Sequence, residues 1–462
     1  MTRPPEGGEV VGGAQESRVA VARGSAALFW AQVIGNSGLF VALVLVTRAL
    51  GPEGRGTFAF ITVAAMLLAR VARLGVSEAT TVYAAQRPPA RPALLANVLV
   101  SSTVGSTLGA CLLCGALAAM PEARPAGFEN IELVLLGVGA VGSALADAGY
   151  AFVLGCSRFR LHALVTGTSA WVYALVVAAI WLGSGLTVVS ATLAWIAVQV
   201  LKAVVLLALA ATSVGLARPD LPLLFESIRF GIRGWFGSIS DALNDRLDQI
   251  LVFYLASQAT LGVYAVSVNA SEMLFYLPAA AATAILPLVA RAHPENRREQ
   301  VVGAFRSVAL FTLVAVGLGS VLGSLLLPVV FGAPFEASVA PFLLLLPGAF
   351  GFLALSVFSS ALLASGAAGR ASFGPVVSLG LTCVLDVVLI SRHGAGGAAV
   401  AASAGYILGG ATSLLLYRGV ARFGWRSLLV PRRADAVLVR ALVAPISRVV
   451  DPRARNSPAG TG

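Results

Sequence analysis

The chain has 462 residues, 58% of them hydrophobic and only 11% charged, with 32 basic against 21 acidic side chains and a formal net charge of +11. A mean hydropathy of +0.88 excludes an ordinary soluble domain, in which about a quarter of residues are charged. The chain therefore belongs in a membrane, where excess arginine reads as topology and as attraction to anionic membrane lipids, and no nucleic-acid partner is needed to explain it.

Residues 1–24 are polar and form an N-terminal cytoplasmic tail. Twelve apolar stretches follow, each near the roughly 20 residues that a helix needs to cross a hydrocarbon core about 30 Å thick. They run at 26–47, 56–83, 92–120, 130–155, 163–182, 186–212, 228–253, 260–290, 301–330, 338–364, 371–390 and 397–417. The first is longer than a signal-peptide core and has no small-residue cleavage site, so it is expected to stay as a span. The predicted fold is an all-α integral membrane protein, with about 12 transmembrane helices in two pseudo-symmetric six-helix bundles around a central cavity. The bundles cover 25–216 and 228–417, joined by a cytoplasmic linker at 217–227 and followed by a basic cytoplasmic tail at 418–462. Within the tail, 436–444 is apolar but too short to cross; it either lies along the inner surface or stays solvated.

With the N-terminus inside, twenty-two arginines fall on the cytoplasmic side and four outside: Arg48, Arg55, Arg124 and Arg392. The positive-inside rule then places both termini in the cytoplasm of a multi-pass protein of the cell membrane. Cys111, Cys114, Cys156 and Cys383 lie in or beside spans, without the loop pair that a disulfide needs or the His and carboxylate neighbours of a metal site.

Several stretches recur after roughly two hundred residues, in the same order, as an internal duplication produces. LGPEGRGTFAF at 50–60 matches LASQATLGVYAV at 255–266, pairing Gly56 with Gly262 and Phe58 with Tyr264; LGCSRFR at 154–160 matches ASGAAGR at 364–370; GSGLTVVSATLAW at 183–195 matches GAGGAAVAASAGY at 394–406. An even number of spans per half makes the repeat parallel, with its axis along the membrane normal. Two such bundles can rock about a shared cleft, which is the geometry of alternating access.

A charge at mid-membrane costs roughly 2.5–3.5 kcal/mol on insertion scales, so charges inside spans are expected to face a cavity or a partner. In the seventh span Asp241, Asn244, Asp245 and Asp248 repeat at i, i+3, i+4 and i+7, forming one polar stripe with Arg246 close by. The stripe either lines the cleft between the halves or forms a structural ion-pair network. Gln32 and Asn36 share a face of the first span. Arg70 and Arg73 lie one turn apart in the second, about 21 and 25 Å from its outer start. Their guanidinium forks suit phosphate oxygens, although snorkelling to inner headgroups explains them equally. Glu272, about 18 Å from its outer start, and Asp147 are candidates to carry a coupling proton or sodium ion; Glu78 is a further intramembrane acid, with Asp386 and Arg233 as weaker charged members. Catalytic signals are missing: His162, His293 and His393 are expected in loops, and no phosphate-binding loop, metal-ligand spacing or nucleophile elbow occurs. Neither an enzyme nor a cofactor is expected.

TRALGPEGRGTFAF at 47–60 with ARLGVSEATTVYAA at 72–85, and NDRLDQILVFYLASQATLGVYAVS at 244–267 with LPLVAR at 286–291, resemble the signatures of the polysaccharide flippases in the multidrug/oligosaccharidyl-lipid/polysaccharide exporter superfamily. The resemblance covers about residues 25–420. It implies two six-helix bundles in a V around a cationic or mixed-charge cavity, and a substrate of undecaprenyl-pyrophosphate-linked sugar carried from the inner to the outer leaflet. On it, Arg70 and Arg73 would meet pyrophosphate, and Asp245, Arg246 and Asp248 match the polar motif of the seventh span. That stripe is more acidic than an anion site calls for; carboxylates suit sugar hydroxyls instead, by accepting their hydrogen bonds. The chain also lacks the two additional spans of the peptidoglycan-precursor branch. Two rival functions remain: an ion-coupled drug or cation antiporter of the same superfamily, and a membrane-embedded polysaccharide polymerase or ligase, which would call for a large outer loop.

Overall fold

The computed structural model describes residues 8–120, 122, 124, 128–291 and 294–429, without the side chains at 8–33, 233, 236, 237, 241, 276–291, 294–296 and 368. The apolar piece at 436–444 and His293 lie outside the described residues. Among these residues the regular structure is helical, with no strand. In order, the helices are α1 (Gly8–Ala72), α2 (Val76–Gln86), α3 (Arg91–Ala119), α4 (Asn130–Gly155), α5 (Phe159–Ser184), α6 (Val188–Val214), α7 (Leu221–Leu255), α8 (Gln258–Arg291), α9 (Pro294–Phe331), α10 (Val339–Leu345), α11 (Gly348–Ala364), α12 (Ala368–Ala371), α13 (Phe373–Ala421) and α14 (Arg426–Leu429).

Seven of the described helices are long and apolar enough to cross a membrane, or eight if the pair bent by 47° between Ala333–Leu345 and Gly348–Ala364 is one span. Two of them hold more than one predicted span. α1 turns at Gly51 (φ 65°), just before Pro52, and α13 turns at Gly394 (φ 54°). In both places glycine takes a left-handed backbone that reverses the chain without a loop. Large apolar side chains stay exposed on these helices, among them Leu112 at 73% and Leu182 at 84%. Such a surface suits lipid, and would be a liability in water.

The second predicted span is broken where one helix was expected. After α1 ends, Leu74 (φ 48°) and Gly75 (φ 79°) interrupt it before α2 begins. Leucine in that region costs on the order of 1–2 kcal/mol. The cause is a backbone-to-backbone contact: a Cβ on Gly75 would come within 2.3 Å of the Gly231 carbonyl carbon, and one on Gly231 within 1.9 Å of the Gly75 oxygen. His162, expected in a loop, lies inside α5, which begins at Phe159, ahead of the apolar run; His393, also expected in a loop, lies at the turn of α13, immediately before Gly394.

The described residues divide into two compact units. The first runs up to Ala242 and includes Ser257–Gly262; the second takes Leu243–Ala256 and the chain from Val263 onward. In the first unit α1 packs along α5, and α4 against α6, α3 and α1. One of its cores joins Ala42, Val46, Phe58, Tyr173 and Val177. Gly56 and Gly262, paired by the repeat, meet inside this unit: a Cβ on Gly262 would lie 1.9 Å from the Pro52 oxygen and 3.1 Å from the Gly56 nitrogen. In the second unit α11 packs on α13 and α9, around Val302, Leu353, Phe358, Tyr417 and Phe423.

Candidate functional site

Each unit has one cluster of charged side chains that includes residues singled out from the sequence. In the first, the broken second span presents Arg70 and Arg73 near α4, α6 and α7. Arg73 is buried and committed: Nη2 lies 3.2 Å from the Asp147 carboxylate, Nη1 donates to Ser77 at 3.3 Å, and Nε donates to the Ala69 carbonyl at 3.2 Å. Asp147 remains 44% exposed. Lys202 of α6 points its ammonium at the Tyr150 ring, 6.0 Å from the centroid. Arg70 is half-buried; its described contact is a 3.5 Å hydrogen bond to the Ser238 carbonyl, which leaves most of its five donors available. Ser238 also donates to Glu78 at 3.0 Å. Among the described side chains here, Arg70, Arg73 and Lys202 outnumber Asp147 and Glu78.

The same face of α7 is fastened to the first unit over several turns. Glu226 accepts two hydrogen bonds from Arg87, at 3.1 and 2.8 Å, while the Arg87 guanidinium lies 4.3 Å from the Tyr83 ring centroid. Tyr83 and Phe230 follow at 5.1 Å, then Gly231 on Gly75, then Trp235 donating to the Arg70 and Val71 carbonyls. The hydrogen bond from Arg87 holds the Glu226 carboxyl below the usual carboxylate range.

The second unit has a cavity of about 270 Å³, lined by Asp245, Arg246 and Asp248 of α7, Tyr264, Val268, Ser271, Glu272 and Phe275 of α8, Leu345 and Phe352 of the bent pair, and Ala402 and Tyr406 of α13. All of these residues belong to the second unit. Arg246 pairs with Glu272 at 2.7 Å. Asp248 is buried and accepts hydrogen bonds from the Tyr264 hydroxyl and, at 2.7 Å, from the Gln249 backbone N–H. Phe275 and Phe352 stack at 5.3 Å and 16°, with Tyr406 edge-on to both. Among the described lining residues, three carboxylates against one guanidinium make an acidic surface. Beside it, Asp386 is fully buried and neither carboxylate oxygen has a hydrogen-bond partner among the described residues.

Of the residues singled out from sequence, Asp245, Arg246, Asp248 and Glu272 come together in this cavity, and Arg70, Arg73 and Asp147 come together in the first unit. Asn36 and Asn244 are half-buried, and Asn244 is not among the lining residues. The side chains of Gln32 and Asp241 lie outside the described residues. Sequence reasoning missed the aromatic members Tyr264, Phe275, Phe352 and Tyr406. Tyr264 carried a signal, its repeat match with Phe58; a lone aromatic in an apolar helix carries none.

A family model described as polysaccharide biosynthesis protein matches residues 21–293, more than half the chain. The chain belongs to the polysaccharide biosynthesis protein family. No curated protein matches it at the sequence level. Among solved structures, the lipid II flippase MurJ in an inward closed conformation aligns with a TM-score of 0.67 at 15% identity, over 92% of this chain and 93% of that one. An inward-facing multidrug resistance MATE family transporter of the MOP superfamily aligns at 0.66 and 15%, over 84% and 94%. A MOP superfamily transporter from Pyrococcus furiosus, described by the reverse polarity of its binding pocket, aligns at 0.56 and 16%, over 87% and 95%. At such identities the likeness is one of fold, so this family member is an all-α, multi-pass membrane protein with a transporter fold.

Proposed function

We propose that this protein is a flippase, moving an undecaprenyl-pyrophosphate-linked oligosaccharide from the inner to the outer leaflet of the cell membrane by alternating access, for cell-surface polysaccharide synthesis. The observation that carries the reading is the division of chemistry between two sheltered clusters within a member of a polysaccharide biosynthesis family: arginines in the first unit, carboxylates and aromatic rings in the second. Arg70, with most of its donors uncommitted among the described residues, is the pyrophosphate ligand; Arg73, tied to Asp147, shapes the site around it. Asp245, Asp248 and Glu272 accept hydrogen bonds from sugar hydroxyls. With no nucleotide-binding domain expected from the sequence, transport is driven by the substrate gradient or by a coupling proton or sodium ion. Glu272 and Asp147 each already hold an arginine, so an ion there must exchange with that partner. Asp386 has no such competitor among the described residues.

A deletion strain is expected to accumulate lipid-linked oligosaccharide in its inner leaflet, and the wild-type gene to clear it, whereas Arg70→Gln with Asp245→Asn should not. The acidic cavity also favours a second reading, export of cationic drugs. Dye efflux restored by the gene, with no change in the lipid-linked pool, would select that reading over flipping.

A further inference from the structure

We infer that the cavity of the second unit reads the sugar itself, and that it admits neutral or amine-bearing sugars and rejects those carrying a carboxylate, sulfate or phosphate. The inference rests on the flippase reading and names its substrate class. Two features of the cavity carry it together.

The first is the aromatic set. Phe275, Phe352 and Tyr406 are each only half-buried, so ring surface faces the 270 Å³ space. The C–H face of a pyranose packs on such rings, and an ammonium group on the sugar is drawn to their negative faces. The volume lies just below the common range for small-molecule pockets, about 300–1,000 Å³. It therefore suits one sugar residue better than a whole repeat unit.

The second is charge. Arg246 is the only cation among the described lining residues, and at 2.7 Å its charge is answered by Glu272. Asp248 accepts from Tyr264 and the Gln249 N–H and keeps acceptor capacity for further donors. Asp245, on the exposed side, adds a further carboxylate. Acceptor-only groups match sugar hydroxyls and ammonium groups, which donate. An acidic sugar brings acceptors to acceptors and negative charge to negative charge, in a space where surrounding apolar helices weaken screening.

The test uses the full-length protein in proteoliposomes with three probes on the same prenyl pyrophosphate: a neutral N-acetylated disaccharide, its de-N-acetylated amine, and a disaccharide ending in a hexuronate. Movement is read from accessibility to a membrane-impermeant oxidant. The neutral and amine probes are expected to cross at similar rates and the hexuronate at least about tenfold more slowly, a factor that corresponds to one added like-charge contact. Asp245→Asn, an exposed position that should not disturb folding, is expected to narrow that gap, and Asp245→Asn with Glu272→Gln to narrow it further. Equal rates for the neutral and hexuronate probes in the wild type would overturn the selectivity while leaving the flippase reading intact. Movement of none of the three would overturn both.

Discussion

Arg70 and Arg73 sit one turn apart but hold different positions chemically. Arg73 is buried and satisfies Asp147, Ser77 and a backbone carbonyl at once. Its removal leaves a carboxylate without its cation, so Arg73→Gln is expected to lower stability by about 1–3 kcal/mol, seen as an earlier thermal melt in detergent. Arg70 has one long described bond. Arg70→Gln should therefore melt close to wild type while transport of a pyrophosphate-linked probe falls roughly tenfold, the loss of one charge-assisted contact. A variant pair with the opposite pattern would exchange the two roles. The sequence revealed that both arginines are costly in a span. It could not reveal which was already spent, because Asp147 and Ser238 come from other helices.

At the scale of the element, α7 carries two chemistries on one rod. Up to Ala242 it belongs with the first unit, fastened through Glu226, Phe230, Gly231, Trp235 and Ser238; from Leu243 it belongs with the second and lines its cavity. The Glu226–Arg87 pair closes the end of that seam with both side chains exposed to solvent, and its strength depends on pH because Glu226 titrates. A carboxyl held below its ordinary value contributes above that value, and the contribution is lost as pH falls through the depressed one. At pH 7, Glu226→Gln is expected to melt below wild type. The two melting curves should converge as the pH drops beneath about 4, the ordinary glutamate range. A gap that persisted in acid would mean that the pair is not what Glu226 contributes. The spans were legible because twenty apolar residues announce themselves. The break at Leu74 and Gly75 was not, because its cause is a contact with Gly231, distant in sequence.

For the whole molecule, arginine distribution makes the strongest claim from sequence, and it concerns direction. If the N-terminus is cytoplasmic, twenty-two arginines fall inside against four outside, a bias expected to orient the chain during insertion because moving guanidinium groups across the membrane is disfavoured. In a cysteine-free background, which removes the exposed Cys111, Ser184→Cys at the end of α5 is expected to react with an impermeant maleimide in intact cells. Gln300→Cys, exposed near the start of α9, should react only after permeabilisation. Direction of transport hangs on this result. With the termini inside, Arg70 and Arg73 lie in the cytoplasmic half of their broken span, where a newly made pyrophosphate-linked sugar is first met. With the labelling reversed, the same arginines would face the outer half, and the export proposed here would have to run as import.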